Sequence, residues 1–471
     1  MSCFHLSPIA LWAAAAANSG AELIKPKQAE QVTNLMEKLS LPALLSLIAM
    51  VFIGTLVMSK FARRLQVPAV LGVLLLGAAI NPEEQFFNNT GVENLHIVSL
   101  TMLLFYAGLT TRIKNIRQFL GYGLMLAVGG VAVSSLVFGL IIFAVYALFS
   151  GTSNDVSILP LGICMLIAAS LGSTDAGATL SVLSSVQRYV PERVRNLLEF
   201  ESSVNDPAAI LFLMLVTGIF YGTGHSAAII GQGVVGGVAG EFQTFFKSIG
   251  SGIMVGLILT YISQHIVRHY VISRDQILIV GISIAIASYG MASLLKGSGF
   301  ISAYVTGVFL ASNIYDNPLI TEELLENSLE SFNTFTEMLV FLMFGIIIDP
   351  LNIVHVLPEG FVCALSLMFV VRPVSVFLFK RFAPFNNRET ILICWCGLRG
   401  AVPLALTYAV IHTIENIPNV TSPQIEMYTQ QVEGLIFLTV LLNLALQGLS
   451  LPWLSRKLGL TGQIDEAVEA S

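Results

Sequence analysis

Charged side chains are scarce in this sequence. Asp, Glu, Lys and Arg together make up 11% of its 471 residues, against roughly 25% in a soluble domain, and the mean hydropathy is +0.80. No water-soluble fold could hide that much apolar surface, and the net charge of -6 implies no nucleic-acid partner. Only five cysteines occur, and all but Cys3 lie in apolar stretches. On a helix Cys394 and Cys396 point about 200° apart, so they and Cys164 and Cys363 are expected to pack rather than to bind metal or cycle redox. Strict polar-apolar alternation over segments of about ten residues is missing, which excludes a β-barrel. Histidine offers little to a proton relay: His96 and His412 lie in or near apolar spans, and His225, His265, His269 and His355 near their ends. There is no HExxH and no nucleophile, base and orienter set, which argues against an intramembrane enzyme.

What the sequence does contain is a succession of apolar runs, each long enough for a helix to cross roughly 30 Å of hydrocarbon. The fold class predicted is an all-α polytopic membrane protein with thirteen transmembrane helices, at 41–59, 66–81, 94–111, 118–149, 157–185, 194–222, 246–267, 275–295, 297–314, 331–350, 355–380, 388–413 and 430–455. Residues 1–40 form an N-terminal segment: a signal-like apolar run from Ile9 to Ala17, then a polar stretch fit for an interfacial helix. Residues 456–471 form a short tail. Basic residues gather in alternate connections, among them Lys60, Arg63 and Arg64; Arg188, Arg193 and Arg195; and Lys380, Arg381 and Arg388. By the positive-inside rule the amino end is outside and the carboxyl end cytoplasmic. The connection 315–330 should then be cytoplasmic, although it carries Glu322, Glu323, Glu326 and Glu330 and no basic residue. Acids weigh little in that rule.

Two glycine patterns are weak signals. Gly231, Gly233 and Gly236 match GxGxxG, but no strand precedes them, so they read as a connection or part of a span. Gly252 and Gly256 form a GxxxG that lets two helices approach closely within one protomer.

Ionisable groups inside a span cost about 2.5 to 3.5 kcal/mol each on insertion scales, so they are compensated or functional. The candidates are Asp175, Glu201, Asp206, Arg372 and Arg399. Ala168 to Gly177 interrupts span five with small and polar residues, and Gly397 to Pro403 interrupts span twelve. Paired interruptions mark discontinuous helices facing a midplane site, and their positions fit two inverted six-helix repeats if span seven is a linker. Asp175 would offset the positive half-helix amino ends and Arg399 the negative carboxyl ends. In span six Ser202 and Asp206 share a helix face, while Glu201 and Asn205 form the adjacent stripe. Pro207 cannot donate to the Ser203 carbonyl, which frees a backbone oxygen near Asp206. Carboxylate, hydroxyl and carbonyl suit a hard monovalent cation, Asp206 can take a proton instead, and Asn205 beside it is counted among the expected binding residues. Glu201 needs a cation, for which Arg372 is the natural candidate. A buried salt bridge from Asp206 to Arg399 is the structural alternative.

These motifs, Ser173-Thr174-Asp175, Glu201-Ser202-Ser203-Val204-Asn205-Asp206, Val371-Arg372-Pro373 and Gly397-Leu398-Arg399-Gly400-Ala401, resemble those of the NhaP-type sodium/proton antiporters and their relatives, the sodium/proton exchangers. The resemblance spans nearly all of 41–455. It implies a homodimer in the lipid bilayer of the plasma or inner membrane, with core helices at about 118–222 and 355–455 and dimerisation helices at about 41–111 and 246–350. It implies crossing broken helices, an elevator-like motion, no cofactor beyond the transported ions, and a cation held by Asp206 with help from Ser202, Asp175 and Thr174. It also pairs Glu201 with Arg372. Two features depart from the pattern. Leu103 to Gly108 lacks the acid that some relatives carry in the third span, and Asn205-Asp206-Pro207 resembles branches that handle potassium. The expected function is therefore exchange of a monovalent cation, sodium, lithium or potassium, for protons. The alternatives are a potassium-selective antiporter, a cation channel or a noncatalytic membrane subunit.

Overall fold

A computed structural model describes Ile53, Val57, 69–80, 89–111, 117–150, 159–183, 186, 189–221, 234–270, 273, 276–312, 322–348, 353–354, 356–418 and 420–460. The chain divides into Met1–Gly54 and Thr55–Ser471, and the helices with their site belong to the second unit. Span one, the segment 1–40, Gly231 and Gly233, and the tail from 461 onward fall outside the described residues, apart from Ile53 and Val57.

Each of the other expected spans contains helix. In chain order these are α1 (Ala69–Ile80), α2 (Asn89–Thr110), α3 (Leu120–Phe149), α4 (Leu161–Ser170), α5 (Ala176–Leu183), α6 (Glu192–Tyr221), α7 (Val234–Tyr270), α8 (Gln276–Leu294), α9 (Gly299–Ser312), α10 (Glu322–Ile347), α11 (Leu357–Leu378), α12 (Asn387–Trp395), α13 (Ala401–Glu415) and α14 (Ser422–Leu458). No strand occurs among the described residues. Seven of these helices are long and apolar enough to cross a membrane. Their outward surfaces match: Ile279 is 68% and Phe369 58% exposed, while Arg399 is buried. Apolar outside and charged inside is the arrangement hydrocarbon solvent demands.

Local chemistry explains the interruptions. Between α4 and α5 the backbone is non-helical at Ser173, Thr174 and Asp175, where Gly172 and two hydroxyl residues are weak helix formers. Between α12 and α13 it is non-helical from Gly397 to Gly400, and Pro403 sits in the first turn of α13, where its missing N–H would have had no intrahelical partner. A π turn at Leu367–Val371 precedes Arg372, and Pro373 has no N–H to give back to that turn. Several boundaries differ from expectation: α7 begins at Val234 rather than at 246, and α14 runs from Ser422 to Leu458 rather than over 430–455. Helix α10 begins at Glu322, so residues 322–330 extend a helix instead of forming a connection. Glutamate is a good helix former, and acids at a helix amino end meet a favourable dipole.

Glycines set the closest helix approaches. A methyl added at Gly108 of α2 would overlap the Tyr304 carbonyl of α9, and one added at Gly307 would overlap Phe105. Gly77 of α1 and Gly345 of α10 meet in the same way. Gly252 and Gly256 of α7 lie against Ser298 and Ser302, and Thr306 Oγ1 donates to the Gly256 carbonyl at 3.2 Å. This GxxxG therefore joins two helices of one chain. Helices α3, α4, α6, α11 and α14 pack among themselves, and α1, α2, α7, α8, α9 and α10 likewise. A cavity opens where α2 and α10 approach α6, α13 and the first helix break.

Candidate functional site

The two helix breaks touch. Asp175 N donates to the Leu398 carbonyl at 2.8 Å, and Arg399 Nη1 donates to the carbonyls of Gly172, at 2.9 Å, and Ser173, at 2.6 Å. Those carbonyls follow the carboxyl end of α4, where the helix dipole is negative and the last C=O groups lack intrahelical partners. Arg399 thus meets the end charge of the opposite break. The Asp175 carboxylate accepts from Ala178 N at 3.0 Å, an N-cap on α5. Gly400 leaves room for it, since a Cβ there would overlap the Asp175 carboxylate.

From α6, Ser202 Oγ donates to the Thr174 carbonyl at 2.5 Å, and Asn205 Nδ2 donates to Thr174 Oγ1 at 2.6 Å. Span six therefore grips the first break through both oxygens of Thr174. Beside this grip lies a cavity of about 140 Å³ lined by Asp206, Asp175, Ser202, Ser203, Ser173 and Thr174, closed on other sides by residues of α2, α10 and α13. Among the described residues no Lys, Arg or His lines it. Carboxylates and hydroxyl oxygens in a space of a few water volumes can accept a small cation or a proton. Of the residues that sequence reasoning assigned to binding, Asp206, Asp175, Ser202 and Thr174 share this cavity, whereas Asn205 does not line it and holds Thr174 instead.

Glu201 and Arg372 pair away from the cavity. Arg372 Nη1 donates to Oε1 at 2.5 Å and Nη2 to Oε2 at 2.9 Å, with the two side chains 2% and 5% exposed. Arg372 also reaches the Ile393 carbonyl of α12 at 3.4 Å. The bidentate fork thus ties α6, α11 and α12 together.

Sequence reasoning missed several members. Asn443 Oδ1 on α14 accepts from Arg399 N at 2.8 Å, and its Nδ2 donates to Gln447 Oε1 at 2.7 Å. Glu389 accepts two hydrogen bonds from Arg193, at 2.8 and 2.7 Å, while completing the capping box of α12 with Asn386. Asn333 and Glu337 of α10 line the cavity. A count of acids in apolar surroundings could have flagged Glu337, which lies inside the predicted span 331–350. Among the described residues no group of three His, Cys, Asp or Glu side chains is close enough to hold a metal ion jointly.

Comparison with known proteins agrees with this architecture. The chain is 27% identical over 410 residues to the K(+)/H(+) antiporter NhaP2 of Shewanella baltica, covering 85% of this chain and 64% of that one. It is 26% identical over 434 residues to the Na(+)/H(+) antiporter NhaS2 of Synechocystis, covering 88% and 71%. The chain thus spans about 64% of the length of the NhaP2 relatives it matches. The sodium proton antiporter MjNhaP1 from Methanocaldococcus jannaschii, solved at pH 8, shares the fold with a TM-score of 0.70 at 22% identity, covering 86% of this chain and 99% of that one. The transmembrane sodium/hydrogen exchanger family matches residues 47–457, and the chain belongs to that family.

Proposed function

We propose that this chain exchanges a monovalent cation for a proton across a membrane, one for one, with Asp206 as the shared carrier. The observation that carries the reading is the cavity in which Asp206 and Asp175 face hydroxyl oxygens with no cationic side chain among the described residues of its lining. The two arginines buried nearby are committed elsewhere: Arg372 to Glu201, and Arg399 to the carbonyls of Gly172 and Ser173. Asp206 then alternates between a cation and a proton, so the loaded site is neutral in both directions. Thr174, Ser202 and Asn205 shape the break beside it, and Asp175 caps α5 while adding negative potential.

The same proposal takes in the organisation expected from sequence: inverted repeats containing the two breaks, core helices at 118–222 and 355–455 moving against scaffold helices at 41–111 and 246–350, a homodimer, an external amino end and a cytoplasmic carboxyl end. The chain acts as a transporter rather than an enzyme. Relatives named for potassium and for sodium leave both ions as substrates to compare.

The test is exchange by purified protein in liposomes, with sodium, lithium and potassium added in turn across a pH series. Wild-type protein should exchange at least one of these ions for protons, and Asp206→Asn should not, while keeping its melting temperature within a few degrees. Cation flux without proton movement would favour a channel, and full exchange by Asp206→Asn would remove the carrier assignment.

A further inference from the structure

The cavity has a wall that none of the four sequence motifs supplies. Helix α10 presents Asn333 and Glu337 to it, four residues apart and so on one face of the helix. The Asn333 Oδ1 atom is buried without a hydrogen-bond partner among the described residues, and Ser173, a residue with no exposed surface, lines the same space with its hydroxyl beside the Asp206 carboxylate. Glu337 brings a third carboxylate to a cavity that already holds Asp175 and Asp206 and whose described lining contains no Lys, Arg or His. Like charges around so small a space repel, and a cation or proton in it relieves the repulsion. The unmatched Asn333 Oδ1 invites the same occupant, because a buried acceptor without a partner is costly.

The three carboxylates are not close enough to ligate one ion together. Glu337 is therefore an acid along the ion's way rather than a corner of a cage. Helix α10 packs on α1 and α2, closely enough at Gly77 and Gly345 for backbones to meet, whereas Asp206 stands on α6, which Ser202 and Asn205 tie to the first break.

We propose that Glu337, with Asn333 one turn before it, is a transit ligand for the transported cation: it draws the partly hydrated ion into the cavity and hands it to Asp206, setting cation affinity without joining the carried charge. This rests on the exchange proposed above. It predicts a division of labour in which removing Asp206 stops turnover and removing Glu337 weakens capture.

The experiment compares wild type, Glu337→Gln, Glu337→Asp and Asn333→Ala in proteoliposomes, reading initial exchange rate against sodium and potassium concentration at fixed pH. Glu337→Gln should raise the cation KM about tenfold or more and leave the maximal rate within about threefold. Glu337→Asp should fall between it and wild type, and Asn333→Ala should raise KM a few fold. Should Glu337→Gln fail to purify as folded protein, Glu337→Asp is judged by the same split between KM and maximal rate. A second reading on detergent-solubilised protein, the cation concentration giving half-maximal thermal stabilisation, should move by the same factor. A KM within twofold of wild type, or a lost maximal rate with unchanged KM, overturns the proposal. Absence of wild-type exchange would instead strike the antiport reading, and the thermal measurement would still decide whether Glu337 contributes to cation binding.

Discussion

Among single residues, each buried charge has a distinct environment, and each environment predicts a different mutant. Glu201 and Arg372 form a bidentate pair with almost no solvent contact. Removing one partner leaves the other charge buried and alone, which costs about 3 to 5 kcal/mol. Glu201→Ala should therefore purify poorly and melt early, and the double neutralisation with Arg372→Ala should recover part of the loss. Equal melting of both single variants and wild type would show that the pair is not a brace. Arg399 meets carbonyl oxygens rather than a carboxylate. Its positive charge on a helix end is the requirement, so Arg399→Lys should keep some exchange and Arg399→Ala very little. Full exchange by the alanine variant would contradict that role. Glu201, Arg372 and Arg399 are easy to single out because a charge inside an apolar run stands out. Glu337 lies inside the predicted span 331–350 and carries the same kind of signal, but it belongs to none of the four motifs and has no interruption beside it to draw attention. Asn443 and Gln447 are neutral amides in a hydrophobic span, and neutral amides leave no mark in a search for buried charge.

Among helices, the site depends on two breaks being held in contact. Gly400 makes that contact possible, because a side chain there would strike the Asp175 carboxylate. Gly400→Ala should push Asp175 off its cap on α5 and reduce exchange by at least tenfold, with helix content unchanged by circular dichroism. Wild-type activity in that variant would mean the breaks are free to move apart. On the other side of the cavity, Gly307 presses on α2, and a leucine there would force the helices apart against the Phe105 backbone. Gly307→Leu should lower the melting temperature of purified protein, because overpacking at a backbone contact costs about 1 to 3 kcal/mol; an unchanged melt would argue against the close approach. The breaks are legible in sequence because Gly172 with its hydroxyl neighbours, and Gly397 to Gly400, interrupt otherwise apolar helices. The start of α10 is not, because hydropathy measures a residue's fitness for lipid and says nothing of its capacity for helix outside it. The glycine pair between α1 and α10 leaves no local trace at all, since its reason lies in a partner helix far along the chain.

At the scale of the whole molecule, among the described residues, apolar surfaces face outward, the carboxylates of Asp175, Asp206 and Glu337 line a cavity where two sets of helices meet, and Glu201 and Arg372 pair within one of those sets. Composition alone reveals the membrane class, and the four motifs gather most of the polar residues that line the cavity. They miss the wall from α10, because proximity between helices distant in sequence is a product of packing. The proposed exchange turns on one carboxylate, Asp206, carrying either the cation or the proton. Protons then compete with cations, and below the pKa of the site the apparent cation affinity should fall about tenfold for each pH unit, the limit for one shared group. Glu337, as a transit ligand, does not change the count. Cation-proton exchange in liposomes, with the membrane potential clamped at several values, reads that count directly. With Asp206 as the lone carrier the rate should not vary with potential and no net charge should move per cycle, whereas a steep voltage dependence or a net current would show that a second acid travels with Asp206.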